Sequence, residues 1–290
     1  MSGLPSGYTQ LEYIQSSGTQ YINTGFKPNQ NSRAVLDFQL TAITGAWQGI
    51  LSARDGAANA YGNNFSLWAT ASNTYRTDFG TDGGPTFGAV NTERHFLDKN
   101  KAIVSIDDVT ATNAAAVFSC NFPLCIGTGY TGGASEYPAM LKIYACQIYD
   151  NGTLVRDFVP CKNDSSAVGL YDTVEGQFYA NAGTGSFTAG PEIIIDPPSA
   201  PTGLQTVLAV VLQWAASENA DRYDVYRDGA KLGSTEATQY VDTTPEPNET
   251  YVYTVKAVND GGESAGASIT VYTKSGYFEY KPLIESANFP

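Results

Sequence analysis

The chain has one histidine, two methionines and four cysteines in 290 residues, and only 16% of its residues are charged. A single His95 cannot build a histidine-rich metal site, and any Ser-His-Asp arrangement would have to use it. It sits in Glu93-Arg94-His95-Phe96 with no nucleophile-elbow motif in the chain, and reads as a satisfied surface or strand-end histidine. Cys120, Cys125, Cys146 and Cys161 form no CxxC pair. They read as buried thiols used as small hydrophobes, with one disulfide between Cys120 and Cys125 as the alternative.

Long apolar runs are missing as well. The strongest, such as Val207 to Leu212, are strand-sized and far short of a membrane span. The opening Met1-Ser2-Gly3-Leu4-Pro5-Ser6-Gly7 has no basic or apolar region of a secretory signal. The expectation is cytoplasmic synthesis, with arrival at a virion surface or outside a cell by another route. Basic residues are scarce: the net charge is −13, so nucleic acid is an unfavourable partner. The Gly-rich turns Gly80-Thr81-Asp82-Gly83-Gly84 and Gly127 to Gly133 lack a following helix that could hold a phosphate.

What remains is rich in turns and short apolar stretches. Helical periodicity is almost absent, and period-2 patterns between Gly, Asn and Asp turns dominate. Strands are expected near Tyr21–Phe26, Ala34–Thr41, Gln48–Ala53, Phe65–Thr70, Thr74–Phe79, Lys101–Ile106, Pro123–Gly127, Met140–Asp150 and Gly176–Tyr179. Met140 to Tyr149 is apolar at both parities, which predicts a strand buried on both faces in the middle of a large sandwich. The fold class expected is all-β: a two-sheet jelly-roll sandwich over residues 1–190 and a smaller immunoglobulin-like sandwich over 201–274. The Pro-rich stretch 191–200 between them reads as a stiff linker.

Residues 8–190 resemble the concanavalin A-like lectin/glucanase superfamily in its laminin-G-like form. The likeness rests on Tyr13 to Gly25, on Gly49-Ile50-Leu51-Ser52 followed by Asn64-Phe65-Ser66-Leu67-Trp68, on Pro123 to Gly127, and on Lys142 to Tyr149. Arg156 to Cys161 and Gly169 to Tyr179 resemble a variant found in gut bacteria and their phages. Residues 198–274 resemble a fibronectin type III module: Val210, Leu212 and Trp214 share a face, Asp228-Gly229 makes a turn, and Tyr251 stands where that family has its tyrosine corner. The adhesion tripeptide of some fibronectin modules is absent from the turn at Asn259 to Ser264.

Glucanases on the first fold set paired carboxylates along one strand. The glutamates Glu12, Glu93, Glu136 and Glu175 each stand alone, and Asp107-Asp108 are adjacent, so no catalytic residue is assigned and the chain is expected not to be an enzyme. Sugar recognition needs aromatic faces flanked by amides, carboxylates and guanidinium groups. Trp47, Arg54, Asn64, Trp68, Tyr75, Arg76 and Tyr130 supply these and form the candidate carbohydrate set. If Leu67 faces the core, Trp68 lies on the open concave face; the alternative is that Trp68 is core and Trp47 covers a sheet edge. The laminin-G resemblance also implies calcium held by loop carboxylates, with Asp55, Asp78 and Asp82 as candidates and no other cofactor.

Residues 275–290 carry Tyr277, Phe278, Tyr280, Leu283, Ile284 and Phe289, an apolar load unusual for a free tail. They are expected to dock on a partner. The functional expectation is a non-catalytic virion or cell-surface protein, a phage accessory, fibre or decoration component presenting a lectin-like domain to glycans. It would be homo-oligomeric or part of a larger assembly with other virion or surface proteins. A secreted bacterial adhesin module is the alternative, and a glycan hydrolase a remoter one.

Overall fold

A computed structural model describes residues 4–56, 62–207 and 211–274. The described residues are all-β, without a helix, and the chain divides into two compact units, residues 4–193 and a second starting at Ile194. The aromatic segment 275–290, with its six docking candidates, and Val210 lie outside the described residues.

The larger unit is a sandwich of two sheets. One runs, in spatial order, Val109–Thr112, Ile103–Ile106, Arg94–Asn100, Ser32–Leu40, Leu141–Asp150, Thr153–Asn163, Val168–Asp172 and Gln177–Tyr179. The other runs Ala134–Glu136, Gly129–Thr131, Gln48–Arg54, Gly62–Ala69, Thr74–Thr81 and Thr86–Ala89. Alternation along each strand sends Leu36, Phe38 and Leu40 from one sheet, and Phe65, Leu67 and Phe79 from the other, into a shared core.

The Leu141–Asp150 strand is buried on one face, not both. Its pairing with Ser32–Leu40 shifts register between Ile143 and Ala145, a bulge that reverses side-chain parity. Leu141, Ile143, Cys146 and Ile148 therefore all face the core, and Tyr144, Gln147 and Tyr149 face outward. A parity switch and a two-sided strand look alike in sequence.

All four cysteines are free and buried, so the Cys120–Cys125 disulfide alternative is not formed. His95 is an inward-facing residue, 7% exposed, and not a surface one. The proline-rich stretch is hydrogen-bonded at its start and near its middle. Glu12 N donates to Pro191 O and Ile193 N to Gln10 O in the large unit. Asn259 Nδ2 donates to Asp196 O in the small one.

In the small unit, a sheet of Thr202–Val207, Val211–Ala215 and Gln239–Val241 accompanies one built on Ala230–Thr235, Arg222–Arg227, Thr250–Asn259 and Ala267–Tyr272. Leu212, Trp214, Tyr223, Val225, Tyr253, Val255, Ala257 and Val271 form its core. The Tyr251 hydroxyl accepts from the Glu246 amide at 3.0 Å, tying the start of the Thr250–Asn259 strand to the chain five residues upstream.

Candidate functional site

The candidate site lies on the outer face of the smaller sheet. Because Phe65 and Leu67 point into the sandwich, their neighbours Asn64, Ser66 and Trp68 point away from it. Register then sets Arg54 opposite Asn64, Ser52 opposite Ser66, Ser66 opposite Asp78, and Trp68 opposite Arg76. Ser52, Asn64 and Ser66 are fully buried and Arg54 is 6% exposed, although none belongs to the core between the sheets. The chain folds over this face: Thr131 and Glu136 meet Arg54, and Tyr137 meets Trp68.

A cavity of about 140 Å³ opens here, lined by Trp47, Arg54, Trp68, Arg76, Asp78, Asp82 and Tyr137. Trp68 is its floor. Trp47 and Tyr137 stand edge-on to that ring at 75° and 80°, with centroids 6.1 and 6.4 Å away. The Arg54 guanidinium lies 4.5 Å from the Trp68 ring centroid, and that of Arg76 5.5 Å from Trp47. Trp68 is only 2% exposed, so its indole supports the cavity more than it offers a free face. Tyr137 is 53% exposed, so its ring is open to solvent.

Tyr137 is held in a costly conformation. Its φ is +49°, in the left-handed region where bulky side chains are rare, and it precedes a proline, which favours extended backbone. Its carbonyl accepts from Gly49 N at 2.7 Å, which fixes it there. Strain of this kind costs about 1–3 kcal/mol and gathers where side-chain placement matters. Glycine at 129 is required by the floor: a Cβ there would lie 2.4 Å from Trp68 Cη2.

Asp78 is the hub of the polar wall. Its Oδ1 accepts from Arg76 Nε at 3.0 Å, Arg76 Nη2 at 2.9 Å and Gly84 N at 2.9 Å. Its Oδ2 accepts from Trp68 Nε1 at 3.1 Å and lies 3.2 Å from Ser66 Oγ. The acceptor capacity of the carboxylate is thus filled. Arg76 also pairs with Asp82. Arg54 donates from Nε to Thr131 Oγ1 at 2.9 Å and pairs with Glu136 at 3.3 Å.

Of the carbohydrate set, the fold brings Trp47, Arg54, Trp68 and Arg76 to one cavity, with Asn64 beside them on the same face. Tyr75 is not there. It points into the sandwich, 6.0 Å from His95 and 5.9 Å from Phe87, and burial pushes its hydroxyl pKa up. Tyr130 lies beside Tyr21, at 6.1 Å. The calcium candidates are also separated. Asp78 and Asp82 join Arg76, whereas Asp55 accepts from Asn63 Nδ2 and from the amide and side chain of Asn121. Among the described residues, no group of three or more His, Cys, Asp or Glu is placed to hold a metal ion. Tyr137 escaped the sequence reading because it follows a Gly-rich turn and carries no periodic signal.

No family model matches the chain. It is 43% identical over 102 residues to a poly(3-hydroxybutyrate) depolymerase of Ralstonia pickettii, covering 33% of this chain and 19% of that protein. It is 36% identical over 107 residues to chitinase Chi52 of Paenibacillus xylanexedens, covering 34% of this chain and 20% of that one. The chain thus spans a fifth or less of the length of these two relatives. A solved structure of FN3tt aligns at 25% identity over 28% of this chain and 100% of its own, with a TM-score of 0.26.

Proposed function

We propose that the chain is a non-catalytic binding module whose larger unit takes a carbohydrate in the cavity between Trp47 and Tyr137. The observation that carries this reading is the pair of aromatic side chains standing edge-on across the Trp68 floor, with arginine and aspartate groups within the same walls. Aromatic rings pack on sugar C–H faces, and fixed charged groups bind hydroxyls. At about 140 Å³ the cavity is smaller than the ~300–1,000 Å³ of a typical small-molecule pocket, so it suits one ring of a longer ligand.

Several features favour binding over hydrolysis. Glycoside hydrolysis needs one carboxyl group ready to give a proton and another free to act as base or nucleophile. Asp78 is saturated by donors, and Asp82 is paired with the same Arg76. In this reading the chain serves in a virion or cell-surface assembly, presenting this cavity to host or mucosal glycans. The net charge of −13, which keeps such a surface from non-specific adhesion to nucleic acid, supports that setting.

A glycan panel probed with the full chain and with Trp47→Ala and Tyr137→Ala tests the reading. Each substitution is expected to weaken the strongest interaction about tenfold. Binding indifferent to both would place the ligand elsewhere.

A further inference from the structure

The arginines of the cavity are already paired with its own carboxylates, and this narrows what it can take. Two guanidinium groups reach it, and each is already committed. Arg76 is shared between Asp78 and Asp82, and Arg54 is paired with Glu136 while its guanidinium lies over Trp68. Asp78 is only 1% exposed and cannot swing away to release Arg76 without leaving the Gly84 amide and Arg76 Nε without their acceptor. A carboxylate brought by a ligand would therefore meet three carboxylates and no uncommitted cation. Its desolvation would go uncompensated. A ligand ammonium finds each of those carboxylates already paired with an arginine, and both guanidinium groups lie over the indole rings that would otherwise attract it. A neutral ring carrying hydroxyl groups meets no such cost. Its hydroxyls can accept from the guanidinium edges and donate to carboxylate lone pairs at the rim, where Asp82 is exposed.

We propose that this cavity selects a neutral pyranose over its uronic acid and amino-sugar counterparts, by charge pairs completed within the protein rather than by any charge on the ligand. The inference rests on the carbohydrate reading above and deepens it. The same geometry implies that binding is nearly independent of ionic strength, since no net charge is neutralised on association.

The test uses the full chain against matched glycosides: methyl glucoside, methyl glucuronide and methyl glucosaminide, with the corresponding galacto series. Affinity is measured at 50 and 500 mM NaCl. The expected result is at least one neutral glycoside bound tenfold or more tightly than its uronate and its amino sugar, with less than a twofold change across the salt range. Asp82→Asn, at the exposed rim, leaves Arg76 partly uncompensated and is expected to shift the uronate-to-neutral affinity ratio severalfold toward the uronate. A uronate or amino sugar bound as tightly as the neutral ring, or strong salt dependence, would overturn the selectivity and leave the carbohydrate reading standing. Absence of binding to every glycoside and to the wider panel would overturn both.

Discussion

Lys99 Nζ donates to Thr77 Oγ1 at 2.7 Å in the middle of the sandwich, with the Phe65 ring centroid 4.7 Å away. No carboxylate pairs with it among the ion pairs of the described residues, and the residue is fully buried. Burial pushes its pKa down to about 7, with the charge of Asp78 opposing the shift weakly.

This fixes the sign of a pH dependence. The free lysine titrates near 10.4, so between about pH 7 and 10 the unfolded chain binds more protons at this residue than the folded chain. Stability at Lys99 therefore rises with pH through that window, by up to about 1.4 kcal/mol per pH unit. The buried thiols act in the opposite sense: burial raises all four, Cys161 to about 12, so their contribution is lost above the ordinary thiol value of about 8.5. A stability maximum near pH 8–9 is expected in the large unit, read by amide hydrogen exchange in the Arg94–Asn100 strand. Lys99→Met should flatten the rise and stabilise the unit at pH 7. A wild-type profile falling steadily from pH 7 to 9 would contradict this.

Asp242 anchors the small unit. Its Oδ2 accepts from Tyr253 Oη at 2.8 Å and Arg227 Nη1 at 2.7 Å, and its Oδ1 from the amide and hydroxyl of Thr244. Burial opposes its ionisation, but these donors outweigh it and hold the carboxyl below its usual range. The stabilisation is present above the ordinary carboxylate value and is lost as acid protonates the folded form. Asp242→Ala should cost about 3 kcal/mol in a chemical-denaturation transition of the small unit and leave the large one unchanged.

Gly129→Ala should remove the floor of the cavity without emptying the core between the sheets. The added methyl would meet two Trp68 ring atoms and the Glu136 carbonyl within 3 Å. Displacement of the indole should expose it to solvent. The expected readout is a red-shifted tryptophan emission together with loss of glycan binding, while strand content by circular dichroism stays the same.

The legible and illegible parts of this chain differ for physical reasons. Gln48–Arg54, Gly62–Ala69 and Thr74–Thr81 stood out because apolar residues recur at one parity: Leu51 with Ala53, Phe65 with Leu67 and Ala69, and Tyr75 with Phe79. Arg94–Asn100 did not, since its inward positions are His95, Leu97 and Lys99. Two of these three are polar groups satisfied only by tertiary partners: Asp107 and Asn91 for His95, and Thr77 for Lys99. Thr153–Asn163, with Arg156, Asp157 and Pro160, hid for a similar reason. At the site, Trp68 and Arg76 could be inferred from alternation with Leu67 and Phe79. The separation of Asp55 from Asp78, the inward turn of Tyr75 and the arrival of Tyr137 are long-range outcomes of strand order, which local pattern does not encode.

The most direct test of the account is the affinity of the full chain for a neutral oligosaccharide identified on the panel, measured by calorimetry beside Trp47→Ala and Tyr137→Ala. The account predicts one site per chain and a loss of about 1–1.5 kcal/mol for each variant, with unchanged thermal unfolding. Wild-type affinity retained in both variants would contradict it.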